Sequence, residues 1–235
     1  MNQYNKLYTP QDSAVVFIDH QPQMLFGVSG IDRAAFISNV TLLAKAAKEF
    51  KVPTVLTAVE TEGFSGYVFP QLLDVFPGQE VVERTSMNSW DSEGFRNAVK
   101  ATGRKNILMT GLWTEVCICW PTLQMLAEGY NIYVVEDCCG ATSPVAQEAA
   151  LSRMVQAGAI RVTTIAALLE WQRDWALKDH YNALMDLIKQ QGGAYGAGVE
   201  YAYTMVHHAA QSAKQPQVVP KKEKTAGVGA PPKTK

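Results

Sequence analysis

The segment Gly111 to Pro121, GLWTEVCICWP, places a cysteine where a protein can make a thiol reactive. A strand is predicted to end near Gly111 and a helix to begin near Glu115, so Cys117 lies in the first turn of that helix. There the helix dipole and unpaired backbone N–H groups favour thiolate over thiol. The same N–H groups can stabilise the oxyanion that forms when a thiolate attacks a carbonyl. The alternative is a buried, inert cysteine, since cysteine is among the most buried residue types.

Two more polar residues stand at the ends of predicted strands. Asp19 follows the apolar run Ala14 to Ile18, and Arg84 ends a short strand. In doubly wound sheets, ligands collect at the carboxyl ends of the strands, so Asp19, Arg84 and Cys117 form a candidate site. The alternatives are a capping or turn aspartate at Asp19 and a surface ion pair of Arg84 with Glu83 or another neighbour.

Four motifs around these residues occur in a recognisable order. They are DHQPQMLF from Asp19, RTSMNSWDS from Arg84, GLWTEVCICWPTLQMLAEG from Gly111 and EDCCGATSP from Glu136. Together they resemble the signature of the isochorismatase-like cysteine hydrolases over about residues 10 to 175, and the YcaC-like branch in particular.

The resemblance implies a role for each residue of the candidate site. Asp19 matches the general base, and Cys117 matches the nucleophile that forms a covalent adduct. The backbone N–H groups of Trp113 and Cys117 match the oxyanion hole, with a cis peptide between Leu112 and Trp113. No cofactor is implied.

Arg84 stands where the family most often has lysine, although the YcaC-like branch resembles this chain in carrying arginine. Arginine keeps its positive charge but cannot release a proton near neutral pH. Arg84 is therefore expected to orient Asp19 and to lower the pKa of Cys117, and a mechanism that needs a neutral amine there is excluded.

The residues that contact the substrate are predicted less sharply. The candidates for the substrate pocket are Gln21, Asn88, Trp90 and Phe64. Phe69, Trp113 and Trp120 are further aromatic candidates, and all of these aromatic residues are equally compatible with core or subunit-interface packing.

No metal site is predicted, because the segment after the second strand, TAVETEGFSGYVFPQ, holds no histidine and the chain's four histidines are dispersed. His20 is expected on the other face of the sheet, with its hydrogen bonds satisfied.

Short apolar runs alternate with segments of helical period along the chain. The pattern predicts an α/β fold, with a single doubly wound, mostly parallel six-stranded sheet and helices on both faces. The predicted strands are 14–18, 54–58, 81–84, 107–110, 132–135 and 160–163, and the predicted helices are 33–50, 92–102, 115–128, 145–157 and a long last helix from about 165 through Leu187.

The C-terminal region differs in composition from the rest. The predicted domain covers residues 1–190, and an extension covers 191–210, in which GGAYGAG interrupts the helical pattern and a short helix lies around 199–210. Residues 211–235 hold six lysines and one glutamate with few bulky apolar residues, so we predict a disordered Lys/Pro-rich tail.

Composition narrows the class of protein. A formal net charge of -1 argues against nucleic acid or an anionic membrane as the main partner. The four cysteines, Cys117, Cys119, Cys138 and Cys139, form no disulfide framework, and the polar N-terminus does not read as a signal peptide. No apolar run approaches the length of a membrane-spanning helix. These features predict a cytoplasmic protein, and the resemblance implies a homo-oligomer.

The predicted function is hydrolysis of a small-molecule amide, imide or nitrile by a Cys117 nucleophile. The alternative from another class is an inactive or weakly active oligomeric scaffold or ligand-binding protein with the same fold. A redox sensor that uses Cys117 with another cysteine is less favoured, because no pair has the usual spacing of a resolving cysteine.

Overall fold

The computed structural model describes residues 7–206, which include one open sheet of six parallel strands. The strand order is β3-β2-β1-β4-β5-β6. The strands are β1 (Ser13–Ile18), β2 (Thr54–Val59), β3 (Val81–Arg84), β4 (Asn106–Leu112), β5 (Asn131–Gly140) and β6 (Ile160–Val162). Every residue of β1 and β4 is buried, as expected for central strands covered on both faces. The predicted fold class is confirmed, and the described strand pairs are all parallel.

Helices cover both faces of this sheet. They are α1 (Pro22–Phe26), α2 (Arg33–Glu49), α3 (Pro70–Leu73), α4 (Glu93–Ala101), α5 (Cys119–Ala127), α6 (Pro144–Gln156), α7 (Thr164–Gln172), α8 (Tyr181–Gln191) and α9 (Gly193–Tyr201). Helices α2, α3, α7 and α8 form one layer, and α4, α5 and α6 form the other. A 3-10 turn (Ser89–Asp91) precedes α4, and a π-helical turn (Thr114–Ile118) precedes α5.

The long last helix of the sequence prediction is wrong, because the chain breaks after α7. Arg173 has a φ of 60°, a left-handed conformation that ends a helix. Downstream, the Gln172 amide donates to the carbonyls of Asp174 and Leu177, and the Asp174 carboxylate accepts the N–H of Ala176. These local bonds offer the backbone an alternative to the helix, so α8 starts afresh at Tyr181.

The C-terminal extension also differs from its prediction. Helix α9 takes in most of the glycine-rich run that was expected to interrupt helical structure. The described chain divides between Val199 and Glu200 into two units. In the described part of the second unit, Thr204 Oγ1 donates to the Glu200 carbonyl within a π-helical turn, Ala202–Val206. The predicted disordered tail, 211–235, lies outside the described residues. Between residues 7 and 206, no helix is long and apolar enough to cross a membrane.

The strand order reverses between β1 and β4, which makes their carboxyl ends the switch point of the sheet. At this point Gly111 pairs with Ile18. A Cβ at position 111 would lie 2.0 Å from the Ile18 carbonyl oxygen, so only glycine allows the two strand ends to approach this closely.

Candidate active site

Asp19 occupies the first position after β1, where the chain leaves the sheet. Its φ is 55°, a left-handed conformation that aspartate tolerates better than most residues. Its N–H still donates to the Thr57 carbonyl of β2, at 3.0 Å, and its own carbonyl accepts the N–H of Gln21. The strand therefore ends abruptly at Asp19, and the carboxylate is fully buried.

Arg84, the last residue of β3, brings its guanidinium to that carboxylate. Arg84 Nη2 lies 2.6 Å from Asp19 Oδ1 and 2.5 Å from Oδ2. Nη1 donates to the carbonyls of Ser86 and Met87 in the loop that follows β3. The arginine side chain is only 2% exposed, so this is a buried ion pair and not a surface one.

Cys117 lies in the π-helical turn between β4 and α5. The carbonyl of Trp113 accepts the N–H groups of both Val116 (3.1 Å) and Ile118 (3.4 Å), and this widens the turn. The Cys117 thiol hydrogen-bonds the Asp19 carboxylate, and its sulfur also has a backbone hydrogen bond with Trp113. The structure thus brings together the three side chains that the sequence analysis selected from three separate strand ends.

The titration behaviour of the pair differs from the expectation of a low-pKa cysteine. Burial, reinforced by the neighbouring Asp19 carboxylate, raises the pKa of the Cys117 thiol, and the Arg84 guanidinium only partly opposes this. Burial also raises the pKa of Asp19, to about 6, against the lowering effect of Arg84 and of the hydrogen bond from Cys117. The resting thiol therefore keeps its proton and hydrogen-bonds the Asp19 carboxylate, because desolvation and the Asp19 charge outweigh the Arg84 charge and the Trp113 backbone hydrogen bond.

The peptide between Leu112 and Trp113 is cis, as the resemblance implied. It lies where β4 leaves the sheet, directly before the π-helical turn. The backbone of Trp113 hydrogen-bonds the Cys117 sulfur.

The side-chain amide of Gln21, a predicted pocket residue, is hydrogen-bonded to the backbone at the end of β2 and in the loop after it. Gln21 Nε2 donates to the carbonyls of Val59 (2.9 Å) and Gly66 (2.5 Å), and Oε1 accepts the N–H of Val59. The side chain is completely buried. Gln21 therefore holds the loop after β2 against the start of α1.

Asn88 and Trp90 form a second buried connection. Asn88 Oδ1 accepts the N–H of Trp90, and Nδ2 donates to Gln124 Oε1 on α5. The Trp90 indole N–H donates to Glu128 Oε1 at 2.8 Å, and its ring packs edge-on against Tyr130. These side chains join the loop after β3 to α5.

The remaining aromatic candidates divide between surface and core. Phe64 is 69% exposed, whereas Phe69 is buried against His20 and Phe36. His20 lies among the rings of Phe17, Phe36 and Phe69, and neither of its ring nitrogens has a hydrogen-bond partner in the described part of the chain. The expectation of satisfied hydrogen bonds at His20 is therefore wrong. Burial lowers its pKa to about 3, so the imidazole is neutral.

The three cysteines other than Cys117 share its buried environment. All four cysteines are free and buried, and burial raises the pKa of Cys119, Cys138 and Cys139. Over residues 7–206, no group of three or more His, Cys, Asp or Glu side chains is placed to share a metal ion. The prediction of a metal-free site stays a prediction.

Sequence reasoning did not identify the groups that hold Trp113. They are the carbonyl of Met24, which accepts the indole N–H at 2.7 Å, and Gly27, against which the ring lies. A backbone carbonyl leaves no signal in residue type, and a glycine before a loop is indistinguishable from an ordinary turn glycine.

Comparison with known families agrees with this geometry. Residues 13–166 match the Isochorismatase domain, a span that includes β1 through β6 and all three site side chains. The chain belongs to the isochorismatase family.

Similar curated proteins and solved structures place this isochorismatase-family chain in the YcaC-like branch. The probable hydrolase YcaC of Escherichia coli is 38% identical over 165 residues, which cover 70% of this chain and 79% of that protein. The structure of YcaC from Pseudomonas aeruginosa with hexane-2,5-diol and covalent acrylamide is 35% identical, with a TM-score of 0.80, and the match covers 83% of this chain and 96% of that one. The E. coli YcaC structure, an octameric hydrolase of unknown specificity, is 34% identical with a TM-score of 0.80, over 85% and 97% of the two chains. This protein is accordingly an isochorismatase-family hydrolase.

Proposed function

We propose that this isochorismatase-family protein hydrolyses a carbon–nitrogen bond in a small-molecule amide, imide or nitrile, with Cys117 as nucleophile. The observation that carries the proposal is the hydrogen bond between the Cys117 thiol and the Asp19 carboxylate, which the buried Arg84 holds in place. A thiol in contact with a carboxylate has a base within reach, and the switch point of a parallel sheet is where ligands bind in folds of this kind.

The proposed first step is the attack of sulfur on the substrate carbon. As the S–C bond forms, the thiol proton moves to Asp19, and the negative charge collects on the substrate oxygen or nitrogen. The N–H groups of Trp113 and Cys117 donate to that atom. For an amide, the C–N bond then breaks, and Asp19 returns its proton to the departing amine.

The proposed second step is hydrolysis of the covalent adduct. Asp19, again ionised, takes a proton from water, whose oxygen attacks the thioester carbon. The C–S bond breaks, and the proton on Asp19 goes to the leaving sulfur. Arg84 stays charged throughout, so its role is to hold and orient Asp19. No cofactor takes part in either step.

The raised pKa values of Cys117 and Asp19 are consistent with a thiol nucleophile that a carboxylate base deprotonates. A thiol that stays protonated needs a base within hydrogen-bond reach, and Asp19 provides one. A carboxyl with a pKa of about 6 is a stronger base than an ordinary aspartate, yet it is still ionised at neutral pH.

A relative supplies independent support for a nucleophilic cysteine. The P. aeruginosa YcaC structure contains covalent acrylamide. Acrylamide is an electrophile that adds to thiolates, so a covalent adduct in a relative of this similarity favours a reactive thiol here. Acrylamide also carries a primary amide, which is the class of group that we propose for the substrate.

The predicted pocket residues take two proposed roles. Phe64 is the one with a free side chain, and we propose that it contacts substrate at the rim of the site. Gln21, Asn88 and Trp90 have engaged polar groups, and they hold the loops after β2 and β3 that form this rim.

We also propose that the protein works as a homo-oligomer in the cytoplasm. The E. coli relative is octameric, and three large apolar side chains here, Phe26, Phe64 and Tyr67, are 75%, 69% and 67% exposed. Surface of this kind is typical of contacts between subunits. Four free thiols suit a reducing compartment.

One observation favours the alternative of a non-catalytic scaffold or ligand-binding protein. The three site residues are almost fully buried, with exposed fractions of 0% for Asp19, 5% for Arg84 and 3% for Cys117. Little of the Cys117 side chain is therefore accessible to a substrate. A binding protein with this fold would keep the same buried network for stability alone.

The deciding experiment is the pH dependence of iodoacetamide labelling, read by mass spectrometry at each cysteine. In the wild-type protein we expect Cys117 to label fastest, with a rate that rises through about pH 6 as Asp19 ionises. In Asp19→Asn this rise should vanish, leaving only slow labelling at alkaline pH. Labelling of Cys117 no faster than that of Cys119, Cys138 or Cys139 would favour the scaffold.

A further inference from the structure

The Trp113 indole packs against the C-terminal end of α1, where it contacts the Met24 carbonyl and Gly27. We call these two contacts the Trp113 seat. Its Nε1–H donates to the Met24 carbonyl at 2.7 Å. A Cβ at Gly27 would lie 2.7 Å from Cζ2 of the ring and 3.2 Å from Cε2. Gly27 has φ −76° and ψ −6°, which any residue adopts, so the requirement for glycine comes from the close approach of the ring.

This seat is itself held rigidly. The Arg33 side chain donates to three carbonyls at the end of α1, with Nε to Leu25 (3.1 Å) and Nη2 to Phe26 (3.2 Å) and Val28 (2.8 Å). At the other end of α1, the Gln21 amide is bonded to the loop after β2. A five-residue helix has too few internal hydrogen bonds to be stable alone, so the bonds from Arg33 and Gln21 fix the position of α1.

The Trp113 backbone carries the groups on which the proposed reaction depends. Its carbonyl accepts the N–H groups of Val116 and Ile118 and so shapes the turn that presents Cys117. The backbone of Trp113 also hydrogen-bonds the Cys117 sulfur. A rotation of the Trp113 backbone would therefore move both the donor N–H and the turn that carries Cys117.

We propose that Trp113 is a positioning residue, whose indole, anchored on Met24 and Gly27, holds the backbone N–H groups that stabilise the oxyanion. This inference rests on the proposed function. It assigns to Trp113 a side-chain role separate from substrate contact, and it makes the identity of residue 27 a determinant of the rate.

Two reagents that modify Cys117 distinguish a defect in the oxyanion donors from a general disruption of the site, because only one of them reacts through an oxyanion. Iodoacetamide alkylates the sulfur: an S–C bond forms, the thiol proton goes to Asp19, iodide leaves, and no oxyanion arises. p-Nitrophenyl acetate acylates the sulfur through a tetrahedral oxyanion: the S–C bond forms, the thiol proton goes to Asp19, and p-nitrophenolate leaves. Both rates are measured on the full chain, by mass at Cys117 and by p-nitrophenolate release.

Trp113→Phe removes the indole N–H but keeps an aromatic ring, and Gly27→Ala pushes the ring from its seat. We expect each to slow acylation about tenfold or more while alkylation changes less than about twofold, because only acylation needs the oxyanion donors. Gly198→Ala is the matched control, since nothing lies within 4 Å of its added Cβ, and it should change neither rate.

Other outcomes would overturn the inference in distinguishable ways. An equal fall in both rates would make Trp113 a general structural residue, and unchanged acylation in both variants would remove its positioning role. Wild-type Cys117 that is alkylated but never acylated would contradict an oxyanion site, and with it this inference. Wild-type Cys117 that reacts with neither reagent would overturn the proposed function as well.

Discussion

Arg84 holds Asp19 through a single nitrogen, since Nη2 contacts both carboxylate oxygens, at 2.6 and 2.5 Å. The other terminal nitrogen, Nη1, is bonded to the carbonyls of Ser86 and Met87, so the guanidinium joins the end of β1 to the loop after β3. Both partners are buried, and an uncompensated charge at either position would be costly.

Removal of Arg84 should destabilise the protein in a pH-dependent way. At about pH 8 we expect Arg84→Gln to lower the free energy of unfolding by about 3–5 kcal/mol, because Asp19 is left as a buried, unpaired charge. Without Arg84, the folded-state pKa of Asp19 rises further above its ordinary value of 3.8. Stability is then lost as the pH rises from that ordinary value toward the folded-state pKa, so the variant should be less impaired at about pH 5.

Urea denaturation at the two pH values measures this difference. Arg84→Lys is the control, since it keeps a positive charge and should lose less stability than Arg84→Gln at the higher pH. An equal loss for Arg84→Gln at both pH values would show that its cost comes from lost packing and not from the Asp19 charge.

His20 should make the fold sensitive to acid. Its pKa is lowered by burial from 6.5 to about 3, so below pH 6.5 the unfolded chain takes up a proton that the folded chain cannot. Stability from this residue is complete above pH 6.5 and is lost as the pH falls, by up to about 1.4 kcal/mol per pH unit.

His20→Phe should remove this loss, because Phe17, Phe36 and Phe69 already surround the ring and its nitrogens have no partner among the described residues. We expect the variant to exceed the wild type in stability by about 1–2 kcal/mol near pH 5, and by less near pH 8. The difference between the two proteins is the useful quantity, since Asp19 titrates equally in both. A difference independent of pH would contradict a buried, neutral His20.

Gly111 should tolerate no side chain. A Cβ there lies 2.0 Å from the Ile18 carbonyl oxygen and 2.8 Å from Ile118 Cδ1, so Gly111→Ala forces β1 and β4 apart. We expect a loss of about 3 kcal/mol or more in the free energy of unfolding, with slower labelling of Cys117 in whatever protein folds.

Gly78→Ala is the matched comparison for Gly111→Ala. Gly78 has a φ of +80° but nothing within 4 Å of its Cβ position, so it should lose only about 1–2 kcal/mol from backbone strain. Thermal and urea unfolding of both variants give the ranking. A Gly111→Ala protein as stable as Gly78→Ala would show that the strand ends are not closely packed in solution.

Self-association should be visible in solution. A monomer has a mass of 25.8 kDa, and we expect light scattering after size exclusion to give a multiple of it. Phe26→Ser with Tyr67→Ser should shift this mass downward, because both apolar side chains are largely exposed and line the same surface concavity. A monomeric wild-type protein at every concentration tested would contradict the proposed homo-oligomer.

Much of this fold was determined by local sequence patterns. The fully buried strands β1 and β4 each contain a short apolar run, and glycines mark the ends of several helices, so the existence and order of these elements followed from the sequence pattern. Asp19, Arg84 and Cys117 were selected because each ends or closely follows a strand, and parallel strands bring their carboxyl ends to one edge. Four motifs in order also predicted the family, which the Isochorismatase domain match confirms.

Tertiary structure decided what depends on burial and on backbone atoms. The pKa of Cys117 is raised, because desolvation and the Asp19 charge outweigh the lowering effect of Arg84, whereas the sequence pattern alone suggested a low pKa. Gln21 and Asn88 turned out to hold loops, since their partners are carbonyls and side chains distant in sequence. The contacts of Trp113 with Met24 and Gly27 likewise join residues distant in sequence. Desolvation and long-range contacts exist only once the chain is folded, and residue type alone does not encode them.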